Sequence, residues 1–346
     1  MAVVLTLEQK IAQKIMIGFR GLSLDERSTI YADIVERGIG GVVLYNVDVP
    51  TNSRLRNIQS PEQLLHLTSQ LQTSAALPLL IAVDQEGGRV ARLSPEHGFP
   101  DTVSHQWLGK QACLSLTREK SSRLAETLAQ CGINLNFAPC VDLNVNPQNP
   151  IISLKERSFS RDPDIVVNHA MEYVKAHHAF GVRCALKHFP GHGSSKGDSH
   201  LGFVDITRSW SPDELIPYKK LVEGGLADAI MTAHVVNGTW DKNVPATLSF
   251  RAITEKLRRE LNYTGLVFTD DLQMRAITDR YGLPQAIEKA VLAGADILLF
   301  GNNCDFDEEI ADKAIRILKK LVEDGIVPQE RIDESVQRIT HLKSRL

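Results

Sequence analysis

The chain has 346 residues, 43% of them hydrophobic and 23% charged, with a net charge of −3. That is the make-up of a soluble globular protein long enough for one large domain or two ordinary ones. It contains no basic cluster of the kind that binds nucleic acid or an anionic membrane, and no apolar run near the roughly 20 residues that a spanning helix needs.

The opening stretch, Met1 to Glu8, has no basic segment and no long apolar one, so no secretory signal is expected. Short apolar runs then alternate with amphipathic stretches. The runs lie at residues 15–19, 41–45, 79–83, 135–138, 182–186, 229–232, 265–269 and 295–300, and each reads as a buried strand. Helical patterns fill much of the space between them, as at residues 118–130 and 163–180. Another at 211–223 is opened by Ser211-Pro212-Asp213-Glu214. The polar stretch 46–60 reads as a long loop after the second strand. The tail 307–346 reads as mostly helical and is expected to close the fold.

Eight strands alternating with helices imply an α/β fold with a parallel sheet, and eight is the number that closes into a (β/α)8 TIM-type barrel. An open doubly wound sheet would usually carry a Gly-rich turn after its first strand. Here that strand runs into Gly18-Phe19-Arg20-Gly21, which is a different pattern. One domain spanning 1–346 is expected. Cys113, Cys131, Cys140, Cys184 and Cys304 are widely spaced and read as reduced thiols of a cytoplasmic protein.

Reactive side chains gather where the strands end, which in a barrel is one rim. Lys187-His188-Phe189-Pro190-Gly191-His192-Gly193 follows the fifth run, with Asp198-Ser199-His200 close behind. Asp84 follows the third run, His234 the sixth, Asp270 and Asp271 the seventh, and Asn302 and Asn303 the eighth. Each has a plainer reading. Asp84 can cap a turn, one of the two aspartates can cap the next helix, His234 can be a packed core histidine, and His192 can simply brace its loop. His188, His192, Asp198 and His200 also suggest a metal. No His-X-His pair follows the first strand, however, and Lys187 would place a cation beside the ion, so no metal is expected. Asp198 two residues before His200 suits a carboxylate that fixes an imidazole tautomer and leaves the other nitrogen for proton transfer. No serine in a nucleophile elbow accompanies the pair. A carboxylate such as Asp270 would complete a double displacement.

Asp84-Gln85-Glu86-Gly87-Gly88-Arg89-Val90, Glu156-Arg157-Ser158-Phe159, the Lys187–Gly193 stretch with Asp198-Ser199-His200, and Phe268-Thr269-Asp270-Asp271-Leu272 together resemble glycoside hydrolase family 3. More narrowly they resemble its bacterial β-N-acetylglucosaminidases. The likeness runs in order from about residue 8 to 345. It implies a barrel, a retaining mechanism and no cofactor. Asp270 would be the nucleophile and His200 the acid/base, oriented by Asp198. Asp84, Arg92, Arg157, Lys187 and His188 match the positions that hold the N-acetylglucosamine ring. Asp271, Glu86 and His234 are left as supporting residues.

The usual glycosidase pattern is two carboxylates. A histidine in place of one is neutral after giving up its proton and so does not repel an anionic acceptor. One departure stands out: after His200 the chain reads Leu201-Gly202-Phe203-Val204, where the resemblance leads one to expect a proline near Val204. The substrate implied is a small sugar, an N-acetylglucosaminyl muropeptide from the cell wall, with no obligate protein partner. A broad β-glycosidase, a glycoside phosphorylase and a catalytically silent sugar sensor are the alternatives.

Overall fold

In the computed structural model, which describes residues 5–346, the eight runs form eight strands. Residues 1–4, part of the stretch read above for a secretory signal, lie outside that range. The strands are β1 (Ile15–Gly18), β2 (Gly41–Leu44), β3 (Leu80–Val83), β4 (Leu135–Asn136), β5 (Arg183–Phe189), β6 (Ala229–Thr232), β7 (Leu266–Phe268) and β8 (Leu298–Phe300). Sequential neighbours pair in parallel from β1 through β7, and β1 also pairs with β8. A parallel bridge between Phe268 and Ile297 closes the ring, with the Asp296 N–H donating to the Val267 carbonyl at 2.8 Å. The result is a (β/α)8 barrel.

Strand residues alternate between two cores, as the pleat dictates. Met16, Val43, Ala82, Phe137, Met231 and Leu299 point inward and fill the barrel. Ile17, Val42, Ile81, Leu186, Val267 and Phe300 point outward against the helices. Ile339 and Leu342, from the helix Gln329–Lys343, join the inner cluster and plug the barrel from the end opposite the strand tips. No helix among the described residues is long and apolar enough to cross a membrane.

The helices fall close to their predicted places. Leu114–Gln130 starts one turn earlier than its periodicity suggested. Pro163–His178 is capped by the Asp162 carboxylate. Residues 211–223 open with a 3-10 turn, Pro212–Leu215, before the helix Ile216–Glu223, and Ser211 and Glu214 form a capping box. Residues 46–60 contain no helix or regular strand. Their shape comes from the buried Arg56, which bonds Asp48 at 3.1 Å, the Phe19 carbonyl at 3.0 Å and the Asn302 carbonyl at 2.8 Å.

Two local readings need correction. Lys187 and His188 do not follow β5; they belong to it. The Lys187 carbonyl accepts from the Val141 N–H at 2.8 Å, and the Phe189 carbonyl from the Ala233 N–H at 2.7 Å, so the strand stays paired on both sides beyond Leu186. Val204, where a proline was expected, lies in a short strand, Val204–Asp205, paired in parallel with Val235–Val236.

Candidate active site

Five charged side chains interlock at the strand tips. Lys187 Nζ lies 2.7 Å from Asp84 Oδ1 and 2.7 Å from Glu86 Oε1. Arg157 forks onto Glu86, with Nη2 to Oε1 at 2.7 Å and Nε to Oε2 at 2.9 Å. Arg92 Nη2 reaches Asp84 Oδ2 at 3.3 Å. Burial disfavours both carboxylate charges, but the cations overrule it. Lys187 and Arg92 bring the Asp84 carboxyl down to about 2, and Arg157 and Lys187 hold Glu86 well below its ordinary value. Lys187 is in turn held above its ordinary value, because Asp84 and Glu86 outweigh its own burial. Two of the three ammonium hydrogens have partners here, which leaves one for a ligand.

A second network grows from Asp142, buried behind β5. Its carboxylate accepts from the His188 ring Nδ1 at 2.7 Å and from the His192 N–H at 2.8 Å. His188 Nε2 lies 3.2 Å from Arg157 Nη2, so the imidazole donates to Asp142 and accepts from the guanidinium. Burial raises the Asp142 carboxyl, but His188 and then His192 override it and bring it to about 2. Cys140 Sγ also sits 3.1 Å from Asp142. Cys140, Asp142 and His188 bring three possible ligand atoms within 4.8 Å of one another. Hydrogen bonding accounts for all three, and burial pushes the Cys140 thiol far up, away from the thiolate a metal would take.

The motif glycines have a steric reason. Gly191 has φ +114°, and a Cβ on Gly193 would overlap the Leu143 carbonyl. They let the chain turn tightly over the Asp142 network and present the segment that carries Asp198 and His200. His200 Nδ1 lies 2.7 Å from Asp198 Oδ1, which also accepts the His200 N–H at 2.9 Å. The imidazole is half exposed, and among the described residues no hydrogen bond engages its Nε2. The Asp198 hydrogen bond raises the His200 pKa against partial desolvation, and the Asp270 charge adds to the rise.

Asp270 and Asp271 follow β7 and are driven in opposite directions. Burial opposes the Asp270 charge, but the imidazoles of His234, His188 and His200, with the Asp271 N–H at 2.8 Å, hold its carboxyl below the ordinary value. Burial raises the Asp271 carboxyl to about 6, with the Asp270 charge contributing. Asp271 Oδ1 accepts the Gln273 N–H at 3.0 Å, so Asp271 is the aspartate of the pair that shapes the following turn. His234 braces that turn: Nδ1 bonds Thr247 Oγ1 at 2.8 Å and Nε2 donates to the Asp271 carbonyl at 2.8 Å.

The fold thus brings Asp84, Arg92, Arg157, Lys187 and His188 into one cluster, pairs Asp198 with His200, and sets Asp270 within the electrostatic reach of His188 and His200. Asp142 was not singled out from the sequence. It lies four residues past the fourth apolar run, too far to read as a strand-end residue, and the remaining signal was an aspartate in the apolar context Cys140-Val141-Asp142-Leu143. Glu86, read as a supporting residue, is the hub between Lys187 and Arg157.

The glycosyl hydrolase family 3 N terminal domain model matches residues 6–342. The chain is 35% identical to beta-hexosaminidase A of Pseudoalteromonas piscicida, over 99% of this chain and 62% of that protein. It is also 35% identical to the beta-hexosaminidase of Tolumonas auensis, over 84% of this chain and 83% of that one. Among solved structures, a glycoside hydrolase family 3 beta-N-acetylglucosaminidase from Paenibacillus sp. str. FPU-7 superposes with a TM-score of 0.90 at 36% identity, covering 99% of this chain and 63% of that one. The chain therefore spans under two thirds of the Pseudoalteromonas and Paenibacillus proteins and about four fifths of the Tolumonas one. A family match over nearly the whole chain agrees with the barrel and with the charged rim described above: the chain belongs to glycoside hydrolase family 3.

Proposed function

We propose that the protein is a retaining exo-β-N-acetylglucosaminidase that removes terminal N-acetylglucosamine from peptidoglycan-derived sugars. Asp270 Oδ attacks the anomeric carbon. The glycosidic C–O bond breaks, and His200 Nε2 gives its proton to the departing oxygen. The product is a glycosyl ester of Asp270. Neutral His200 then takes a proton from water as the water oxygen attacks the same carbon and releases the aspartate. Asp198 keeps the His200 Nδ1 proton in place and stabilises the imidazolium. Asp84, Arg92 and Lys187 offer acceptors and donors to the sugar hydroxyls. Arg157 and His188, both largely engaged within the cluster, hold these groups in place.

The observation that carries this reading is the Asp198–His200 pair at 2.7 Å, its outer nitrogen without a hydrogen-bond partner among the described residues, within the field of a partly buried and ionised Asp270. The names of the relatives support the N-acetylhexosamine preference. A cytoplasmic setting is part of the reading, in keeping with five cysteines that are all unpaired.

Hydrolysis of 4-nitrophenyl β-N-acetylglucosaminide beside the matching β-glucoside tests it. N-acetyl-selective turnover is expected, with a loss of roughly a thousandfold or more in Asp270→Ala. Turnover that survives in the variant would remove Asp270 as nucleophile. Sugar phosphate formed on adding inorganic phosphate would make the enzyme a phosphorylase.

A further inference from the structure

The floor of the site holds a phenol that the hydrolytic steps leave unused. Tyr45 directly follows β2, and the buried Asn57 pins its backbone on both sides. The Tyr45 N–H donates to Asn57 Oδ1 at 3.0 Å, and the Tyr45 carbonyl accepts the Asn57 N–H at 2.9 Å. The ring packs on the inner core of the barrel. The guanidinium of Arg56 lies 5.5 Å from the ring centre and that of Arg92 lies 5.8 Å from it. Both are within the range at which an aromatic face holds a cation. Backbone, ring and neighbouring cations together fix where the hydroxyl points.

That hydroxyl makes no hydrogen bond among the described residues, and the side chain is only partly buried. It comes up against Gly301, where a Cβ would lie 2.7 Å from Tyr45 Oη and would overlap Asp271 Oδ2. Burial holds the phenol well above its ordinary pKa, and the Asp271 and Asp84 charges add to the rise, so at neutral pH the group is a hydrogen-bond donor. A donor that is partly desolvated and unpaired favours any ligand oxygen that reaches it. Arg92 Nε, on the same wall, is buried and also lacks a partner. In the ring of strands, β2 stands three places from β5, whose following loop carries Asp198 and His200, and three from β7, which leads into Asp270. The anomeric carbon has to sit at Asp270 with its leaving oxygen at His200. The far end of the sugar ring then falls on the wall built by Asp84, Arg92 and Tyr45.

Resting on the hydrolase reading above, we propose that Tyr45 is a further substrate-binding residue, its hydroxyl donating a hydrogen bond to the 4- or 6-hydroxyl of the terminal sugar. Tyr45→Phe keeps the ring and its packing and deletes only the donor. In this variant kcat/KM for 4-nitrophenyl β-N-acetylglucosaminide should fall roughly three- to tenfold, the worth of one neutral hydrogen bond. Wild type and variant are then compared on the 4-deoxy and the 6-deoxy glycosides. The penalty should vanish on at least one of the two, the one that lacks the hydroxyl Tyr45 holds. A merely structural role would lower turnover of all three substrates alike. Equal penalties on all three, or no penalty on the parent glycoside, would overturn the proposal.

Calorimetric titration with N-acetylglucosamine and its 4-deoxy and 6-deoxy forms reads the contact without turnover. Weaker binding of the parent sugar by Tyr45→Phe, with equal binding of one deoxy sugar by both proteins, sustains the contact even if wild type fails to hydrolyse the aryl glycoside. Equal affinity of both proteins for the parent sugar sinks it even if the enzyme is an active hydrolase.

Discussion

In the proposed mechanism the chemistry at His200 depends chiefly on the neighbouring Asp198 charge. A bare imidazole near its ordinary pKa would be largely neutral at pH 7 and a poor acid. The Asp198 carboxylate raises it, and Asp270 helps, so the imidazolium persists to higher pH. The sign of the mutational effect follows. In Asp198→Asn the hydrogen-bond acceptor survives as an amide oxygen but the charge is gone. The His200 pKa falls, and the alkaline limb of kcat/KM for phenyl β-N-acetylglucosaminide moves to lower pH. The rate at neutral pH should drop by roughly 10²- to 10⁴-fold, the usual contribution of a positioned acid. An unmoved alkaline limb would remove Asp198 from this role. Sequence could single out this pair because both members are polar residues two apart on a loop after a strand. It could not assign Glu86 as the hub, because the pairing of Glu86 with Arg157 spans 71 positions along the chain and exists only once the barrel closes.

At the scale of elements, the question is what holds the half-exposed Asp198–His200 pair in place near Asp270. Ser199, between the two members of the dyad, is buried and held from both sides. Its Oγ lies 3.3 Å from His192 Nε2, and its carbonyl accepts the Ala276 N–H at 3.3 Å, from the short helix that follows Asp270 and Asp271. His192 is pinned in turn: Nδ1 lies 2.8 Å from Ser195 Oγ, its N–H bonds Asp142, and its carbonyl accepts from Asn149 at 2.8 Å. Burial drives the His192 pKa down to about 4, so it is a neutral strut rather than a proton donor. His192→Ala should therefore misplace the acid without touching the nucleophile. Turnover of phenyl β-N-acetylglucosaminide, which needs its leaving oxygen protonated, should fall roughly 10²-fold, a loss typical of a catalytic group displaced by about 1 Å. The 2,4-dinitrophenyl substrate, which departs unaided, should be nearly unaffected. Equal losses on both would make His192 a general fold residue.

Sequence reading reached this level unevenly. All eight strands lie where continuous apolar runs placed them, because a strand buried on both faces leaves a run that needs no partner to be recognised. The end of β5 was misjudged because pairing with Val141 and Ala233 carries the strand through two polar residues. The two-residue strand at Val204–Asp205 is too short to leave a pattern at all.

The whole molecule divides its charge between the two ends of the barrel. The mouth carries the reactive groups, and the opposite end carries a lock. Asp296, fully buried just before β8, bonds Arg258 at 2.6 Å, Arg331 at 2.7 Å and Arg338 at 3.1 Å. It also accepts from Ser335 at 2.9 Å and from the Val267 N–H at 3.0 Å. Lys14, just ahead of β1, donates to its backbone carbonyl at 2.9 Å. The Asp296 carboxylate thus ties β7 and the start of β8 to the helix that plugs the barrel, and its backbone carbonyl ties in Lys14 ahead of β1. Burial would raise the Asp296 carboxyl, but the surrounding cations, Arg258 foremost, bring it down to about 2. Asp296→Ala removes one charge and leaves several cations desolvated without a partner, a change that costs about 3–5 kcal/mol. Equilibrium denaturation at pH 7 should show that deficit. The folded-state pKa is depressed, so the contribution is complete above the unfolded aspartate value near 4 and is lost as pH falls through about 2. The gap between wild type and Asp296→Ala should therefore narrow below about pH 4, while the KM of the variant that remains folded at pH 7 stays at the wild-type value. A gap constant from neutral pH into acid would mean that the carboxylate is not what holds the plug in place.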